Sequence, residues 1–316
     1  MARIIGLDHF QIKGNGSPED QHICKVFRND VQQFSVTFII NAYGENGVVI
    51  PLTKAQLESV KLVKYDGGEV TDLFKNNTKN EFDYYPGSYV KNDETTDQNM
   101  SNIDYYYAVS SASTFNSLQL AAQITLDGAT YTTNLREAEP GGAISNGGFN
   151  SSIIVEPVNT RKLSAADLQI IYAGGLGHGA DYPFQMQVYK WEITFIDGSR
   201  QIRSSSTYPS DEPIESFSQW VGDENKIAHY NVPVMPVGSV FYGKMPILLG
   251  EGMNKWWAYP HTKVGAAYAL RLDFYGIVDH FYTPTNVTYY DQNGNRANVW
   301  LKADNYGEIF RIIDQP

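Results

Sequence analysis

The amino-acid sequence predicts an all-β, mainly antiparallel protein, built of β-sandwich or jelly-roll-like modules with a few short helices. Two observations predict it. In several segments apolar residues recur at every second position, the spacing of half-buried strands. Asp-Gly and Asn-Gly pairs follow or join those segments, and such pairs tolerate positive φ and close tight hairpins.

Taken along the chain, the first element is a short helix opening at Ser17-Pro18-Glu19-Asp20. Ser is a capping residue, Pro suits the first turn, and acids favour the positive end. Ile23, Val26 and Phe27 would share one face of it. Phe34, Val36, Phe38 and Ile40 then alternate with Ser35 and Thr37, which predicts a strand. Thr53 to Lys61 is compatible with a helical turn. A strand is expected there instead, because Val60, Leu62 and the following Asp66-Gly67 fit a hairpin. Leu118, Leu120, Ala122, Ile124 and Leu126 predict a strand that ends at Asp127-Gly128. Tyr189, Trp191, Ile193 and Phe195 predict another, and Trp191–Arg203, with Asp197-Gly198 at its turn, reads as a complete hairpin. A second helix is expected to begin near Asp211-Glu212-Pro213, with Ile214, Phe217, Trp220 and Val221 as its apolar stripe. Tyr268, Leu270, Leu272 and Phe274 predict a strand with that set turned inward. Val287–Leu301 reads as a hairpin about Asn293-Gly294.

The chain has 316 residues, and domains usually run ~100–200. Polar residues from Lys75 to Asn102 suggest one boundary. The prolines Pro209, Pro213, Pro233 and Pro236 suggest a second region of extended connections. Three domains are therefore expected: 1–82, an N-terminal anchoring β-sandwich; 83–206, a central β domain; and 207–316, a C-terminal β domain.

Charge excludes some functions. Lys and Arg number 24 against 35 Asp and Glu, a net charge of −11. Nucleic-acid binding rests on cationic neutralisation of phosphates, so no nucleic-acid partner is expected. No apolar window approaches the ~18 residues of a membrane span. The opening MARIIGLDHFQIKGNG lacks the apolar stretch of a signal peptide. The expectation is a chain made in a reducing cytoplasm, with no membrane partner. Cys24 is the only cysteine and reads as a small core residue.

No motif specifies catalysis, a cofactor or a metal, so no catalytic residue is assigned and a non-enzyme is expected. The glycines of Gly174–Gly179 follow an apolar stretch. No helix start follows them, which favours a surface loop over a phosphate cradle. His9, His22, His178, His229, His261 and His280 lack zinc spacing. Asp291, Asn293 and Asn295 have the alternation of calcium ligands, but the glycine position fits a hairpin turn instead. Glu192 and Glu251 are acids of the kind glycosidases pair, but nothing in the sequence brings them together.

Aromatic clusters are the candidate contact residues. Trp256, Trp257, Tyr259 and His261 are concentrated in one short run. Successive strand residues face opposite sides, so one Trp of the pair can be exposed, to anchor a protein partner or stack on a sugar; the alternative places one Trp in the core and the other at a sheet edge. Tyr84-Tyr85 and Tyr105-Tyr106-Tyr107 are similar clusters.

Residues 25–75 carry Phe27, Arg28 and Asp30, then Pro51-Leu52-Thr53, then Asp66-Gly67. This order resembles the N-terminal domain of the upper baseplate proteins of tailed phages. The resemblance implies a small β-sandwich that fixes an appendage to the virion. The ending, Val299–Asp314, resembles phage fibre modules. The expectation is thus a structural component of a bacteriophage virion, in the baseplate, tail or head fibre, assembled in the host cytoplasm. Its expected partners are other virion proteins and copies of itself, with a host surface glycan as a further candidate. The alternatives are a carbohydrate-binding or carbohydrate-active β protein and a capsid decoration protein.

Overall fold

The computed structural model describes residues 3–17, 20–89, 100–134, 149–178, 187–208, 217–221, 226–232, 240–244, 256–260, 263–274, 285–304 and 309–315. The fold is all-β and mainly antiparallel. It divides into two compact units, Met1–Thr160 and Arg161–Pro316. The division expected at 82/83 would fall between two paired strands, and that at 206/207 would cut a strand.

The first unit holds β1 (Gly6–Gly14), β2 (Ile23–Phe27), β3 (Gln33–Tyr43), β4 (Val49–Ile50), helix α1 (Lys54–Glu58), β5 (Lys61–Lys64), β6 (Leu73–Asn76), β7 (Ser101–Val109), β8 (Leu118–Leu126), β9 (Ala129–Thr132) and β10 (Ile153–Val158). One sheet runs β1-β3-β7-β6, with β4 beside β3. The other runs β2-β10-β8-β5, with β9 beside β8. Residues of both sheets share one core, so the unit is a β-sandwich. Phe34, Val36, Phe38 and Ile40 are fully buried there, as their alternation requires. Each such side chain contributes ~1.5–3 kcal/mol by leaving water. The ring of Tyr107, directly opposite Phe34, stacks on it with 5.7 Å between centroids.

Several turns follow from local chemistry. Asp127 and Gly128 both have positive φ, 47° and 88°, and close the two-residue β8–β9 hairpin. Asn46-Gly47 is also left-handed and joins β3 to its partner β4. Thr53 to Lys61 is not a strand throughout. Thr53 accepts from the Gln56 amide while the Gln56 side chain accepts from Thr53 N–H, a capping box that starts α1. Ile23–Phe27 is a strand and not a helix face. Its cap residue Ser17 accepts from Asp20 N–H in a single turn. Cys24 lies in the core.

The second unit holds β11 (Leu168–His178), β12 (Gln187–Phe195), β13 (Ile202–Tyr208), β14 (Phe217–Val221), β15 (Lys226–Val232), β16 (Val240–Lys244), β17 (Trp256–Pro260), β18 (Ala267–Phe274), β19 (Thr285–Asp291), β20 (Arg296–Asp304) and β21 (Ile309–Asp314). Its sheets run β11-β12-β18-β15-β14 and β13-β19-β20-β21, with β16 and β17 as a separate pair. A second core joins the two larger sheets. Phe217–Val221 is therefore a strand. The proposed helix start at Asp211 lies outside the described residues, as does Gly179. Gly174–His178 is no loop either. It is the end of β11, bulged at Tyr172/Gly174, where Gly174 has φ 105°.

Two further expectations change. Trp191–Arg203 is not a hairpin, because β12 and β13 belong to different sheets. Neither Asp197 nor Gly198 has positive φ, so the pair makes no primed turn. Asp197 instead accepts from the Ser199 amide and hydroxyl as the chain crosses between sheets. In β18 the core takes Ala267 and Ala269, which lie opposite Ile193 and Trp191. Tyr268 is buried on the opposite face, next to Glu192.

That face carries a charge cluster. Lys190 Nζ lies 3.4 Å from Glu192 Oε1 and 4.7 Å from the centre of the Tyr268 ring. Lys263 also donates to Glu192. Burial works against the Glu192 carboxylate, but Lys263 and Lys190 outweigh it and hold its pKa below the ordinary value. A depressed carboxylate stabilises the fold fully above its unfolded value of ~4.3 and loses that contribution as pH falls through the folded value. Glu192→Gln is expected to cost about 2 kcal/mol at neutral pH, since Lys190 loses its partner. Urea unfolding measured against pH should show the variant and the parent converging in acid.

Candidate functional site

The outer face of the first sheet builds the most developed surface site among the described residues. Antiparallel pairing sets Ser35 opposite Tyr106 and Thr37 opposite Asp104. These four point away from the core, because their strand neighbours Phe34, Val36, Tyr105 and Tyr107 fill it. Thr37 Oγ1 donates to Asp104 Oδ1 at 2.5 Å.

The segment after β6 lies along this face, although its polar composition suggests a linker. Asn80 N–H donates to Gln33 Oε1 at 2.8 Å, and Asn80 Nδ2 donates to Val31 O at 2.6 Å. Gln32 Nε2 donates to Asp83 O at 3.0 Å. Phe82 is buried, and Lys79 Nζ donates to its carbonyl. Tyr85-Pro86-Gly87-Ser88 then makes a type II turn. Ser88 N–H donates to Tyr85 O at 2.9 Å. Pro supplies the second position, and Gly87, with φ 86°, supplies the third. The Tyr85 ring rests on Phe27 with centroids 5.1 Å apart, and Tyr89 N–H donates to Gly16 O at 2.6 Å.

Between this segment and the sheet runs an open groove of about 580 Å³. Tyr84, Tyr85 and Tyr106 line it together with Asp83, Asp104, Ser35 and Thr37. Lys79 Nζ sits 4.9 Å from the centre of the Tyr84 ring. Burial pushes the Tyr84 phenol up, against a hydrogen bond from Ser35, and Tyr106 and Asp104 push the same way. Burial and then Asp104 raise the Tyr106 phenol. Both phenols therefore keep their protons at neutral pH and can donate. The other side of the turn faces a second hollow of about 310 Å³, lined also by Asp20, Ile23 and Lys25.

Tyr84, Tyr85 and Tyr106 meet at the groove, while Tyr105 and Tyr107 are core residues. The sequence signal not used was Tyr-Pro-Gly-Ser, a type II turn that positions Tyr85. Trp256, Trp257 and Tyr259 lie on β17, whose backbone pairs Trp257 with Gly243 and Tyr259 with Phe241. His261 lies outside the described residues, as do Glu251 and His280.

Other candidates are accounted for. Asp291 accepts from Asn293 N–H at 2.9 Å, Asn295 N–H at 2.8 Å and Asn295 Nδ2 at 3.0 Å, and it also pairs with Arg200. The Asp-x-Asn-x-Asn run is the β19–β20 turn. The Arg200 guanidinium therefore stands where a cation would sit beside Asp291. Among the described residues no three His, Cys, Asp or Glu side chains converge on a common point. No helix among them is long and apolar enough to cross a membrane.

No family model matches the chain, and no curated protein does. Among solved structures it is similar to the C-terminal domain of the Streptococcus agalactiae antigen I/II polypeptide BspA, at 10% identity over 97% of this chain and 100% of that chain, with a TM-score of 0.21. It is also similar to the C-terminal domain of the Streptococcus pyogenes antigen I/II-family protein AspA, at 10% identity over 92% of this chain and 98% of that chain, with a TM-score of 0.19. Superpositions this loose carry no argument about fold or function.

Proposed function

We propose that the chain is a non-enzymatic structural component of a bacteriophage virion, in the baseplate, tail or head fibre, acting through contacts with other virion proteins and with copies of itself. One observation carries the reading. Residues 25–75, which resemble the N-terminal domain of upper baseplate proteins, supply β2 to β6 and so contribute to both sheets of a small sandwich. A β-sandwich is what the resemblance implies for fixing an appendage, and here β1 and β7 to β10, from outside residues 25–75, complete it. The sandwich ends in edge strands, among them β6 with Phe74 exposed, and the β3–β4 turn exposes Val48 and Val49. Unpaired edges and exposed apolar side chains are surfaces that a neighbouring subunit covers. Virion parts are repeated symmetrically, which suits a homo-oligomer.

Light scattering on the purified chain, together with immunogold labelling of purified particles, tests the reading. The expected result is a closed oligomer and gold on the tail or fibre. A capsid decoration protein would place gold over the head instead. A chain that stays monomeric through the micromolar range and is missing from particles would overturn the proposal.

A further inference from the structure

We infer that the groove between Tyr84, Tyr85 and Tyr106 binds a neutral saccharide. The inference stands on the groove alone and holds whether or not the chain is part of a virion. The argument starts from charge. An anion entering the groove meets the carboxylates of Asp83 and Asp104. A cation seeking the Tyr84 ring finds Lys79 Nζ already over it. The lining thus carries both signs, two carboxylates and the Lys79 ammonium, and a ligand without net charge meets no like charge. Around it stand carboxylates, which accept, and phenols, which both donate and accept. Sugar hydroxyls both donate and accept, so one ring can answer both.

Shape points the same way. Three tyrosine side chains line the groove, and the C–H faces of a pyranose pack on aromatic rings while its equatorial hydroxyls reach outward. The polar partners form a two-by-two array fixed by strand register, Ser35 opposite Tyr106 and Thr37 opposite Asp104. The other wall is held by the Tyr85–Ser88 turn and by the Gln32, Gln33 and Asn80 hydrogen bonds. Both walls are therefore set before a ligand arrives, which lowers the ordering cost of binding. A groove of about 580 Å³ falls within the ~300–1,000 Å³ of small-molecule sites.

The test is titration of the full chain, by saturation-transfer NMR and calorimetry, with maltotriose, mannotriose, a galacto-oligosaccharide and chitotriose. Sialyllactose and an arginine-rich peptide serve as anionic and cationic contrasts. The expected result is saturable binding of at least one neutral probe, weakened about tenfold by Tyr106→Ala and by Asp104→Asn. Asp104→Asn keeps the side-chain shape and guards against a Tyr106→Ala chain that fails to fold. No binding of any neutral probe, binding of the charged probes only, or binding that survives both substitutions would overturn the inference. Binding lost on Trp257→Ala but kept in Asp104→Asn would place the sugar elsewhere and overturn it too.

Discussion

Replacing Asp291 with alanine is expected to destabilise the second unit by about 3–5 kcal/mol, the loss found when one partner of a buried ion pair is removed. Asp291 is fully buried. Its two oxygens hold the amides of Asn293 and Asn295, the Asn295 side chain and the Arg200 guanidinium. Three of these partners belong to the β19–β20 turn, and Arg200 belongs to the crossing between β12 and β13. One carboxylate therefore ties a hairpin in one sheet to the connection arriving from the other. Without it, buried donors lose their acceptor, and among the described residues Arg200 keeps the Asp197 carboxylate, 3.3 Å away. Urea unfolding of the variant should show the loss. A change below about 1 kcal/mol would mean that water replaces the carboxylate and that the network is not structural. Added calcium should leave the parent's unfolding midpoint unmoved, because the carboxylate is already spent.

The second large effect is expected at Gly14. A Cβ built there would lie 2.1 Å from Cys24 Sγ and 3.0 Å from Gln21 O, closer than packed atoms can approach. β1 and β2 belong to different sheets, so the missing side chain sets how closely the layers meet at this point. Gly14→Ala is expected to cost about 3 kcal/mol through overpacking. Adding Cys24→Ala removes the sulfur and should recover part of the loss, so the double change should be less damaging than the sum of the two. Strict additivity would show that the strain lies elsewhere. The thiol also supplies a readout. Burial pushes its pKa up to about 12, so alkylation should report opening of the first unit.

Much of this architecture was legible because it is local. Phe34 to Ile40 follow period two without interruption, Leu120 to Leu126 follow it apart from the buried Ala121, and Asp127-Gly128 makes the turn its dihedral freedom allows. The misreadings arose where local chemistry serves two structures. Ser17 caps a single turn as readily as a helix. Asp197-Gly198 has the composition of a hairpin, yet which sheet the next strand joins is settled by cores tens of residues away. Tyr268 alternates like a core residue and is buried, but Ala267 and Ala269 on the other face are buried too, and burial on both faces leaves no period-two signal. Thr53-x-x-Gln56 carries its capping box in a spacing of three residues. At the groove, the tyrosines stood out as clusters. That Tyr84 and Tyr106 meet depends on strand register and on Gln32 and Gln33, whose burial no spacing announces.

The parallel pairing of β2 with β10 also bears on how the chain is made. Ile23 aligns with Ile154, and Val26 with Pro157, so the opening of the first unit waits for its close. During synthesis β2 leaves the ribosome long before its partner exists. Contacts of such sequence separation are slow to form. The first sandwich should therefore complete only after residue 158 has emerged, and stalled chains that stop short of it should be protease-sensitive.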